Sequence, residues 1–351
     1  MKKRVAVGIS GGVDSAVAAL LLKEQGYEVI GLFMKNWEDG EDCSAANDYE
    51  DVKRICAKLD IPYYSVNFER QYWDRVFSHF IEEYKAGRTP NPDVLCNREI
   101  KFGPFREQAQ KLGAEYIATG HYAGILEKEG KTYLVRAKDE NKDQTYFLNQ
   151  LSNKQLQNVL FPLSQLYKSE VRAIAAECGL PVAEKRDSTG ICFIGERKFR
   201  EFLAGYIPMQ KGEIQDASGK VVGEHNGVFY YTLGQRRGLG IGGSSEGNRW
   251  FVTGKDVQKN ILYVSCSEPP SLFTKECKVS GMNYITDRVA DGQEVFARMR
   301  HRQPLQKAKV ELIDNGNIAL HFDVPQRALA PGQYAVLYDD RICLGGGVMR
   351  R

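Results

Sequence analysis

The spacing of apolar residues divides the first 200 residues into short continuous runs and longer segments with helical periodicity. The continuous runs predict buried strands at 4–9, 29–34, 62–68 and 116–122, with a further strand at 133–138. Helical spacing predicts helices over 15–25, 44–59, 70–87 and 98–112. Strands that alternate with helices of this length are typical of a doubly wound parallel sheet, so we predict an α/β fold here.

A different pattern follows from about residue 200. Residues 206–248 are rich in glycine and short polar stretches. Short alternating segments then predict strands at 249–254, 260–265, 276–284, 293–300, 305–313, 317–323, 333–339 and 342–349. Turn signals such as Asp291-Gly292 separate them, which predicts a small β-barrel or sandwich. We therefore predict three domains, at 1–200, 201–270 and 271–351.

The composition is that of an ordinary globular protein. Of the 351 residues, 42% are hydrophobic and 26% charged, which excludes a disordered, collagen-like or coiled-coil chain. No apolar run approaches the roughly 18 residues that span a bilayer, and the charged start lacks the apolar core of a signal peptide. We therefore expect a cytoplasmic protein with no membrane partner.

Charge is distributed unevenly along the chain. Residues 1–100 carry 13 Lys and Arg against 17 Asp and Glu, whereas residues 101–351 carry 35 against 28. The basic remainder suits a polyanionic partner such as RNA, and it suits an ordinary solvated surface equally well.

Eight cysteines are spread along the chain, and none forms a Cys-x-x-Cys pair. This spacing argues against zinc ribbons, thioredoxin-like motifs and simple iron–sulfur sites, and we predict no resident metal site. Eight cysteines in 351 residues are also too sparse for a disulfide scaffold, so most are expected to be buried thiols.

A glycine-rich loop, residues 10–15, joins the first predicted strand to the first predicted helix. Its glycines let a phosphate approach the backbone, and the N–H groups at the helix start point towards that phosphate. The loop has neither the Gly-Lys-Ser/Thr of a Walker A motif nor the spacing of a dinucleotide motif. It resembles the pyrophosphate loop (PP-loop) of the ATP pyrophosphatase superfamily, whose members cleave ATP between the α- and β-phosphates.

This resemblance implies an ATP site, with Mg2+ accompanying the nucleotide. The implied contacts are Gly8, Ile9, Ser10, Gly11, Gly12, Val13, Asp14, Ser15, Met34 and Gly120. Met34 and Gly120 end the second and fourth predicted strands, although core packing alone would also explain Met34. Asp14 is either a Mg2+ ligand or a structural cap.

The first cysteine segment of interest spans residues 88–103. Two prolines precede Asp93 and Cys96, and a helix is predicted to start after Cys96 with Asn97 as a possible N-cap. The helix dipole and nearby basic residues, Arg98 and Lys101, would then lower the pKa of the thiol. Packing as a small buried hydrophobe is the alternative for Cys96.

The second cysteine segment spans residues 186–195. Cys192 lies between two glycines with basic residues upstream, which predicts a mobile loop that lets the thiol meet different partners. The apolar neighbours Ile191, Phe193 and Ile194 leave packing as the alternative.

Taken together, the PP-loop and the two cysteine segments closely resemble those of the tRNA-specific 2-thiouridylase family, and the resemblance covers essentially the whole chain. Weaker matches lie at 141–148, 231–238, 300–303, 330–333 and 344–347. The resemblance implies an N-terminal doubly wound parallel sheet of the adenine nucleotide α-hydrolase type. A small linking domain and a C-terminal antiparallel β-barrel that contacts tRNA would follow.

The family resemblance also implies a reaction, in which sulfur replaces O2 of the wobble uridine of tRNA. ATP would adenylate that oxygen, and a persulfide on Cys192 would supply the sulfur. Cys96 would attack the persulfide or assist sulfur release, leaving a Cys96–Cys192 disulfide. Asp93 would act as a general acid or general base beside the target uridine. The sulfur donor would be a relay protein or a cysteine desulfurase acting directly.

The implied tRNA contacts are polar residues from all parts of the chain. Asn91, Pro92 and Asp93 would contact the target base. The remaining implied contacts are His121, Lys142, Asp143, Gln144, Arg300, His301 and Gln333. Without the resemblance, residues 300–302 would be interpreted equally well as a solvated strand end.

Two other functions compete with this interpretation. A PP-loop ligase that makes a small metabolite would need neither Cys96 nor Cys192. A non-catalytic module that binds ATP and docks a partner would bind ATP without releasing pyrophosphate, and fold alone does not exclude it.

Overall fold

The computed structural model describes residues 2–37, 44–187, 199–242 and 249–350. The predicted mobile loop with Cys192 lies outside these residues. Within them, no helix is long and apolar enough to cross a membrane.

The strands and helices can be named in chain order. The strands are β1 Arg4–Gly8, β2 Glu28–Lys35, β3 Tyr63–Asn67, β4 Tyr116–Thr119, β5 Ala123–Lys128, β6 Lys131–Arg136, β7 Val159–Leu160, β8 Gly212–Gln215, β9 Val221–His225, β10 Phe251–Asp256, β11 Ile261–Ser265, β12 Phe273–Tyr284, β13 Glu294–Arg298, β14 Gln306–Leu312, β15 Ile318–Arg327, β16 Tyr334–Asp339 and β17 Ile342–Arg350. The α-helices are α1 Val13–Glu24, α2 Ser44–Leu59, α3 Glu69–Tyr72, α4 Ser78–Lys85, α5 Pro92–Cys96, α6 Pro104–Lys111, α7 Thr145–Leu148, α8 Asn153–Leu156, α9 Lys168–Glu177 and α10 Phe199–Ala204. Two π-helical turns, Trp73–Phe77 and Asn97–Lys101, join α3 to α4 and extend α5.

The N-terminal sheet has five parallel strands in the order β3-β2-β1-β4-β7. Its central strands are apolar on both faces, since Val5, Ala6 and Val7 of β1 have no exposed surface. The prediction of an α/β fold is thereby confirmed. The strands that follow β1 are added first on one side of it, as β2 and β3, and then on the other side, as β4 and β7. The strand order therefore reverses at β1, and a parallel sheet binds ligands at such a switch point.

The strand predicted at 133–138 does not belong to the parallel sheet of the N-terminal domain. The segment predicted at 133–138 is β6, which forms an antiparallel hairpin with β5. This hairpin does not join the parallel sheet, because β6 pairs with β17, with Val135 opposite Ile342 and Leu134 opposite Cys343. The N-terminal part of the chain is therefore joined to the C-terminal part by backbone hydrogen bonds.

The C-terminal strands form a closed barrel of six antiparallel strands. Their order is β12-β15-β14-β13-β16-β17, and β12 closes the ring by pairing with β17. This confirms the predicted antiparallel barrel. Between the parallel sheet and the barrel along the chain, a four-stranded sheet forms in the order β10-β11-β8-β9, and it includes the first two of the segments predicted after residue 249.

A buried ion pair also joins the N-terminal domain to the barrel. Asp143 is 1% exposed, and its Oδ2 lies 2.8 Å from Nη1 of Arg298, which is 3% exposed. The carboxylate also accepts hydrogen bonds from the Ala137 N–H and the Thr145 hydroxyl. Removing one partner would leave an uncompensated charge inside the protein.

Asp143→Ala is therefore expected to lower the free energy of unfolding by about 3–5 kcal/mol, because it leaves Arg298 buried without its partner. Urea denaturation at neutral pH measures the change. The matched control is Asp287→Ala, which removes one partner of the exposed Lys131–Asp287 pair and is expected to cost far less. Equal losses in the two variants would contradict the assignment of Asp143 as a structural anchor.

Candidate active site

The PP-loop forms a tight turn between the carboxyl end of β1 and the first turn of α1. Gly12 is the N-cap of α1, and the first intrahelical hydrogen bond runs from the Ala16 N–H to Gly12 O, at 3.2 Å. The Ser15 Oγ lies 3.0 Å from Gly12 O and 3.2 Å from Ser10 N, so it ties the two ends of the loop together. The N–H groups at this positive helix end are arranged to bind an anion.

Two glycines of the site are required by close backbone contacts. Gly11 has φ of +77°, and a Cβ there would lie 2.6 Å from Asp48 O. A Cβ on Gly120, just after β4, would lie 2.8 Å from the backbone N of Ser15. Larger residues at either position would displace the loop or the helix start.

The other predicted nucleotide contacts lie around this loop. Ile9 and Val13 bury their side chains in the core, so only their backbone can contact a ligand. A Cβ on Gly8 would lie 3.4 Å from the ring of Phe105 in α6. Met34 in β2 is partly buried and packs against the core, which is what the alternative of simple core packing predicts for it.

Asp14, at the start of α1, is engaged by two side chains. Its Oδ1 lies 2.7 Å from Lys168 Nζ and 2.9 Å from the Tyr122 hydroxyl. Within the described part of the chain, no group of three or more His, Cys, Asp or Glu side chains is placed to hold a metal ion. Asp14 therefore bonds within the protein, although Gly12 and not Asp14 is the N-cap, and a Mg2+ contact at Asp14 stays a prediction.

A cluster of charged residues adjoins Asp14, and we call Asp187, Lys142, Lys168 and Arg172 the Asp187 cluster. The Asp187 Oδ2 lies 2.7 Å from Lys142 Nζ, and Oδ1 lies 2.7 Å from both Lys168 Nζ and Arg172 Nη2. Burial alone would raise the pKa of Asp187, but the hydrogen bonds from Lys142 and Lys168 outweigh it and hold the pKa well below its usual range. Three cations thus surround one carboxylate beside the PP-loop.

Lys185 supports the PP-loop from another side. Its Nζ lies 3.1 Å from Gly11 O and 2.7 Å from the carboxylates of Asp48 and Asp51 in α2. The loop is thus fixed to α2 through both a backbone contact and a charged side chain.

Cys96 lies at the C-terminal end of a helix, and the expectation that a helix starts after it is wrong. Helix α5 begins at Pro92 with Asn91 as its N-cap, and it continues beyond Cys96 as a π-helical turn. The helix starts earlier because proline suits the first helical turn, where no intrahelical N–H bond is required. The dipole at the helix N-terminus therefore favours the negative charge of Asp93, in the first turn, and not a thiolate at Cys96.

The side chains expected around Cys96 have other partners. Asn97 is not an N-cap, since its Nδ2 donates to Phe147 O at 3.0 Å. The Arg98 guanidinium lies 2.6 Å from the carboxylate of Glu99. The Cys96 side chain is buried, with 1% of its surface exposed.

The N-terminus of α5 lies where the three parts of the protein meet. The Thr89 N–H donates to Pro331 O at 2.8 Å, and the Thr89 hydroxyl lies 3.3 Å from that of Thr232 in the linking domain. Gln333 Nε2 donates to the carbonyls of Thr89 and Pro90, at 2.9 and 3.2 Å. Gln333, predicted to contact tRNA, thus also holds the segment that leads into α5.

Asn91 has an unused hydrogen-bonding atom at this junction. Its Oδ1 is buried and has no hydrogen-bond partner among the described residues, while its Nδ2 lies 3.5 Å from Gln333 Oε1. A buried acceptor without a donor is costly, so this oxygen is suited to a ligand that brings an N–H group.

The segment that carries Cys96 packs on the carboxyl ends of β1 and β4. Phe102 stacks near His121, with ring centroids 6.3 Å apart, and Phe105 in α6 contacts the neighbourhood of Gly8. Burial, with a further contribution from Lys101, lowers the pKa of His121 well below its usual range. His121 is therefore neutral at physiological pH and would contact RNA as a neutral hydrogen-bonding or stacking group.

Residues 142–144, predicted to contact tRNA, also bond within the protein. Lys142 belongs to the Asp187 cluster, and the Gln144 Oε1 accepts the Tyr122 N–H at 3.0 Å. The Asp143 side chain has no exposed surface and anchors the barrel, so its carboxylate cannot reach an RNA in this conformation. The tRNA contact at Asp143 therefore stays a prediction, and its carboxylate cannot make that contact in this conformation.

The barrel brings Arg300 and His301 to this same side of the molecule. Arg300 donates to Ala328 O, and His301 Nε2 lies 3.2 Å from Asp143 O. The His301 ring lies 4.5 Å from the ring of Phe147 in α7. Exposed cations that remain available to a polyanion include Arg236, Arg237 and Arg302.

The His301 environment predicts a pH dependence. Burial, with Arg302 adding to it, lowers the pKa of His301 to about 4, below its usual value near 6.5. The unfolded chain therefore binds a proton in the window between pH 6.5 and pH 4 that the folded chain does not, so His301 stabilises the fold fully above that window and loses this contribution as pH falls through it.

We expect His301→Gln to reduce the loss of unfolding free energy between pH 6.5 and pH 4, as measured by urea denaturation at several pH values. His321→Gln is the control, because His321 is half-exposed beside Glu311. An NMR titration that gives His301 an ordinary pKa would contradict the account.

Sequence reasoning missed Lys168, Arg172, Tyr122 and Asp187. Lys168 and Arg172 lie one turn apart on α9, but Tyr122 and Asp187 lie elsewhere along the chain, so only the fold brings the four together at the PP-loop. In the sequence, Lys185 and Arg186 stand out only as the basic residues upstream of Cys192.

The fold and site define a class of protein: a PP-loop α/β domain with a linking sheet and a closed β-barrel. Family models match all three parts, described as the tRNA methyl transferase HUP domain over residues 3–196, the tRNA methyl transferase PRC-barrel domain over 200–266, and the aminomethyltransferase beta-barrel domain over 274–349.

Curated relatives identify the family within this class. The tRNA-specific 2-thiouridylase MnmA of Halalkalibacterium halodurans is 56% identical over 351 residues, which cover 99% of this chain and 94% of that protein. The protein of the same name from Alkaliphilus oremlandii is 52% identical, with 99% and 96% covered. This chain therefore belongs to the tRNA-specific 2-thiouridylase family.

Solved structures resemble the chain more distantly. The U34-tRNA thiolase NcsA from Methanococcus maripaludis matches with a TM-score of 0.35 and 19% identity, covering 51% of this chain and 58% of that one. A likeness of this size carries no argument about function.

Proposed function

We propose that this chain is a tRNA-uridine 2-sulfurtransferase that uses ATP to replace O2 of the wobble uridine with sulfur. The observation that carries the proposal is the position of α5, which carries Asp93 and Cys96 and whose N-cap Asn91 lies where the PP-loop domain meets the barrel and the linking domain. Relatives that are 52–56% identical over the full chain bear the name of this activity. The proposed division is 1–200 for catalysis, 201–270 as a link and 271–351 for tRNA contact, in a cytoplasmic enzyme.

The nucleotide would bind with its phosphates on the PP-loop. The close glycine contacts at Gly11 and Gly120 and the N–H groups at the start of α1 fit a phosphate group. Mg2+ would neutralise phosphate charge when it accompanies ATP. Met34 remains a proposed contact at the adenine edge.

Activation would make the uridine oxygen a good leaving group. Uridine O2 attacks the α-phosphorus, the bond to the β-phosphate oxygen breaks and pyrophosphate leaves. Asp93, whose charge the α5 N-terminus favours, accepts the N3 proton, and Asn91, the N-cap of the same helix, is a proposed contact of the base. AMP is then expelled when sulfur attacks C2.

The sulfur would come from a persulfide on Cys192. Its terminal sulfur forms a bond to C2 and displaces AMP, which leaves a mixed disulfide between C2 and Cys192. The Cys96 thiolate attacks the Cys192 sulfur, releases 2-thiouridine and forms a Cys96–Cys192 disulfide, which an external thiol then reduces. A relay protein or a cysteine desulfurase would reload Cys192.

The tRNA would lie across the barrel and the linking domain. Arg300, His301, His121 and Lys142 are proposed contacts, and the exposed Arg236, Arg237 and Arg302 add positive surface. The target base must leave the anticodon stack to reach the junction, which costs a few kcal/mol in a loop. Asp143 would hold the barrel against the N-terminal domain, and Gln333 would hold the segment that leads into α5.

Incubation with unmodified tRNA, ATP, Mg2+ and a persulfide donor tests the proposal. Nuclease digestion and mass spectrometry should detect 2-thiouridine only when ATP is present, and only in tRNA with a wobble uridine. ATP binding without release of AMP and pyrophosphate would contradict the proposal and favour the partner-docking alternative.

A further inference from the structure

The Asp187 cluster carries more positive charge than its own carboxylate neutralises. Lys142, Lys168 and Arg172 contribute three cations, and all three ionic groups touch Asp187 at 2.7 Å. Lys168 also bonds Asp14, and the buried Asp139 accepts the Lys168 N–H, so three carboxylates adjoin the three cations. A carboxylate held by several cations through both oxygens occupies the kind of site that a phosphate group would also fit.

The cluster adjoins the predicted nucleotide site. Asp14 is the second residue of α1, and its Oδ1 lies 2.7 Å from Lys168 Nζ. The Lys168 ammonium therefore lies beside the helix terminus whose N–H groups would bind phosphate. The Lys168 side chain is 14% exposed and that of Asp187 is 33% exposed, so the carboxylate is the more accessible of the two.

Asp139 holds the two lysines in place. Its Oδ2 accepts the Lys168 N–H at 2.9 Å, and its Oδ1 accepts the Asn141 N–H at 3.1 Å. The Lys142 N–H donates to Asp139 O at 3.0 Å. One buried residue thus fixes the backbone at the start of α9 and in the turn that carries Lys142.

We propose that Lys168 binds the β- and γ-phosphates of ATP, and that Asp187 occupies this polyphosphate subsite when the nucleotide is absent. Binding of ATP then requires the phosphates to displace the Asp187 carboxylate from Lys168. This inference rests on the proposed function, because it assigns a subsite of the same ATP site.

The proposal gives two variants opposite effects on ATP affinity. Lys168→Gln removes a charge-assisted contact, so the Kd for ATP should rise about tenfold, whereas Lys168→Arg should retain most of the affinity. Asp187→Asn removes the competing charge, so the Kd should fall by about threefold or more. A carboxylate that merely held the structure together would produce the reverse, because its loss would loosen the site.

Calorimetric titration of the full chain with Mg-ATP, and separately with pyrophosphate, measures these effects at about 0.15 M salt. Asp287→Asn is the matched control, since it removes the same charge from an exposed pair with Lys131 elsewhere on the molecule. Asp187→Asn is isosteric, so it should fold, and thermal denaturation verifies this for each variant.

The outcomes separate the inference from the proposed function. Failure of the wild type to bind ATP would overturn the proposed function itself. Normal wild-type binding, with Asp187→Asn unchanged or weaker for ATP and pyrophosphate, would overturn the inference alone. A change confined to tRNA affinity would assign the subsite to RNA phosphates and would also overturn it.

Discussion

Cys96→Ser is expected to lower the rate of 2-thiouridine formation by about 1,000-fold or more. The variant replaces the thiol proposed to release the sulfur, and removal of an enzyme nucleophile has effects of this size or greater. The side chain lies at the end of α5 with 1% of its surface exposed, so the small change from sulfur to oxygen should preserve packing. Single-turnover assays with wobble-uridine tRNA measure the rate.

The adenylation step should survive this substitution, because Cys96 acts after it. Cys96→Ser is therefore expected to release AMP and pyrophosphate while forming no thiolated base. Cys178→Ser is the control, since Cys178 is a partly buried thiol at the end of α9 outside the proposed site. Thiolation by Cys96→Ser at the wild-type rate would remove Cys96 from the mechanism.

Gly11→Ala is expected to weaken ATP binding by about 100-fold or more. Alanine would be strained at φ of +77°, and its Cβ would lie 2.6 Å from Asp48 O, so the PP-loop must move away from α2. Such a movement would displace the N–H groups proposed to bind phosphate. Equilibrium titration with ATP measures the effect.

Gly26→Ala provides a closely matched control for this substitution. Gly26 has φ of +88°, but no atom lies within 4 Å of its added Cβ, so the variant shares the backbone strain without the collision. It should bind ATP with nearly wild-type affinity despite some loss of stability. Similar weakening in both variants would show that backbone strain, and not the loop contact, controls binding.

Local patterns predicted most of the secondary structure because each pattern has a local physical cause. The 44–59 segment has helical spacing throughout, and α2 spans Ser44–Leu59. The predicted helix at 98–112 is divided in the structure, since Gly103 and Pro104 interrupt it before α6. The two-residue strand β7 is too short to produce a periodic signal.

Non-local pairing could not be predicted in this way. The apolar spacing of 133–138 fits any sheet, and nothing nearby indicates that β6 pairs with β17 more than 200 residues later. The same limit applies to the site. The PP-loop and Cys96 are visible as motifs, whereas the contact of Lys168 with Asp14 and Asp187 depends on the folded chain.

The helix around Cys96 illustrates a different limit. A proline, an aspartate and an asparagine occur within seven residues, and each can mark a helix start. The structure begins α5 at Pro92, which moves the favourable dipole from the thiol to Asp93. The charge expected on Cys96 and on Asp93 therefore depends on whether the helix begins at Pro92 or about one turn later.

The central claim is that the wobble uridine oxygen is activated by adenylation. The most direct test uses tRNA whose wobble uridine carries oxygen-18 at O2, with mass spectrometry of the nucleotide products. If adenylation activates the uridine, one oxygen-18 atom should appear in the phosphate of AMP for each 2-thiouridine formed. Unlabelled AMP, with the oxygen-18 released to water or to pyrophosphate, would contradict adenylation of the uridine.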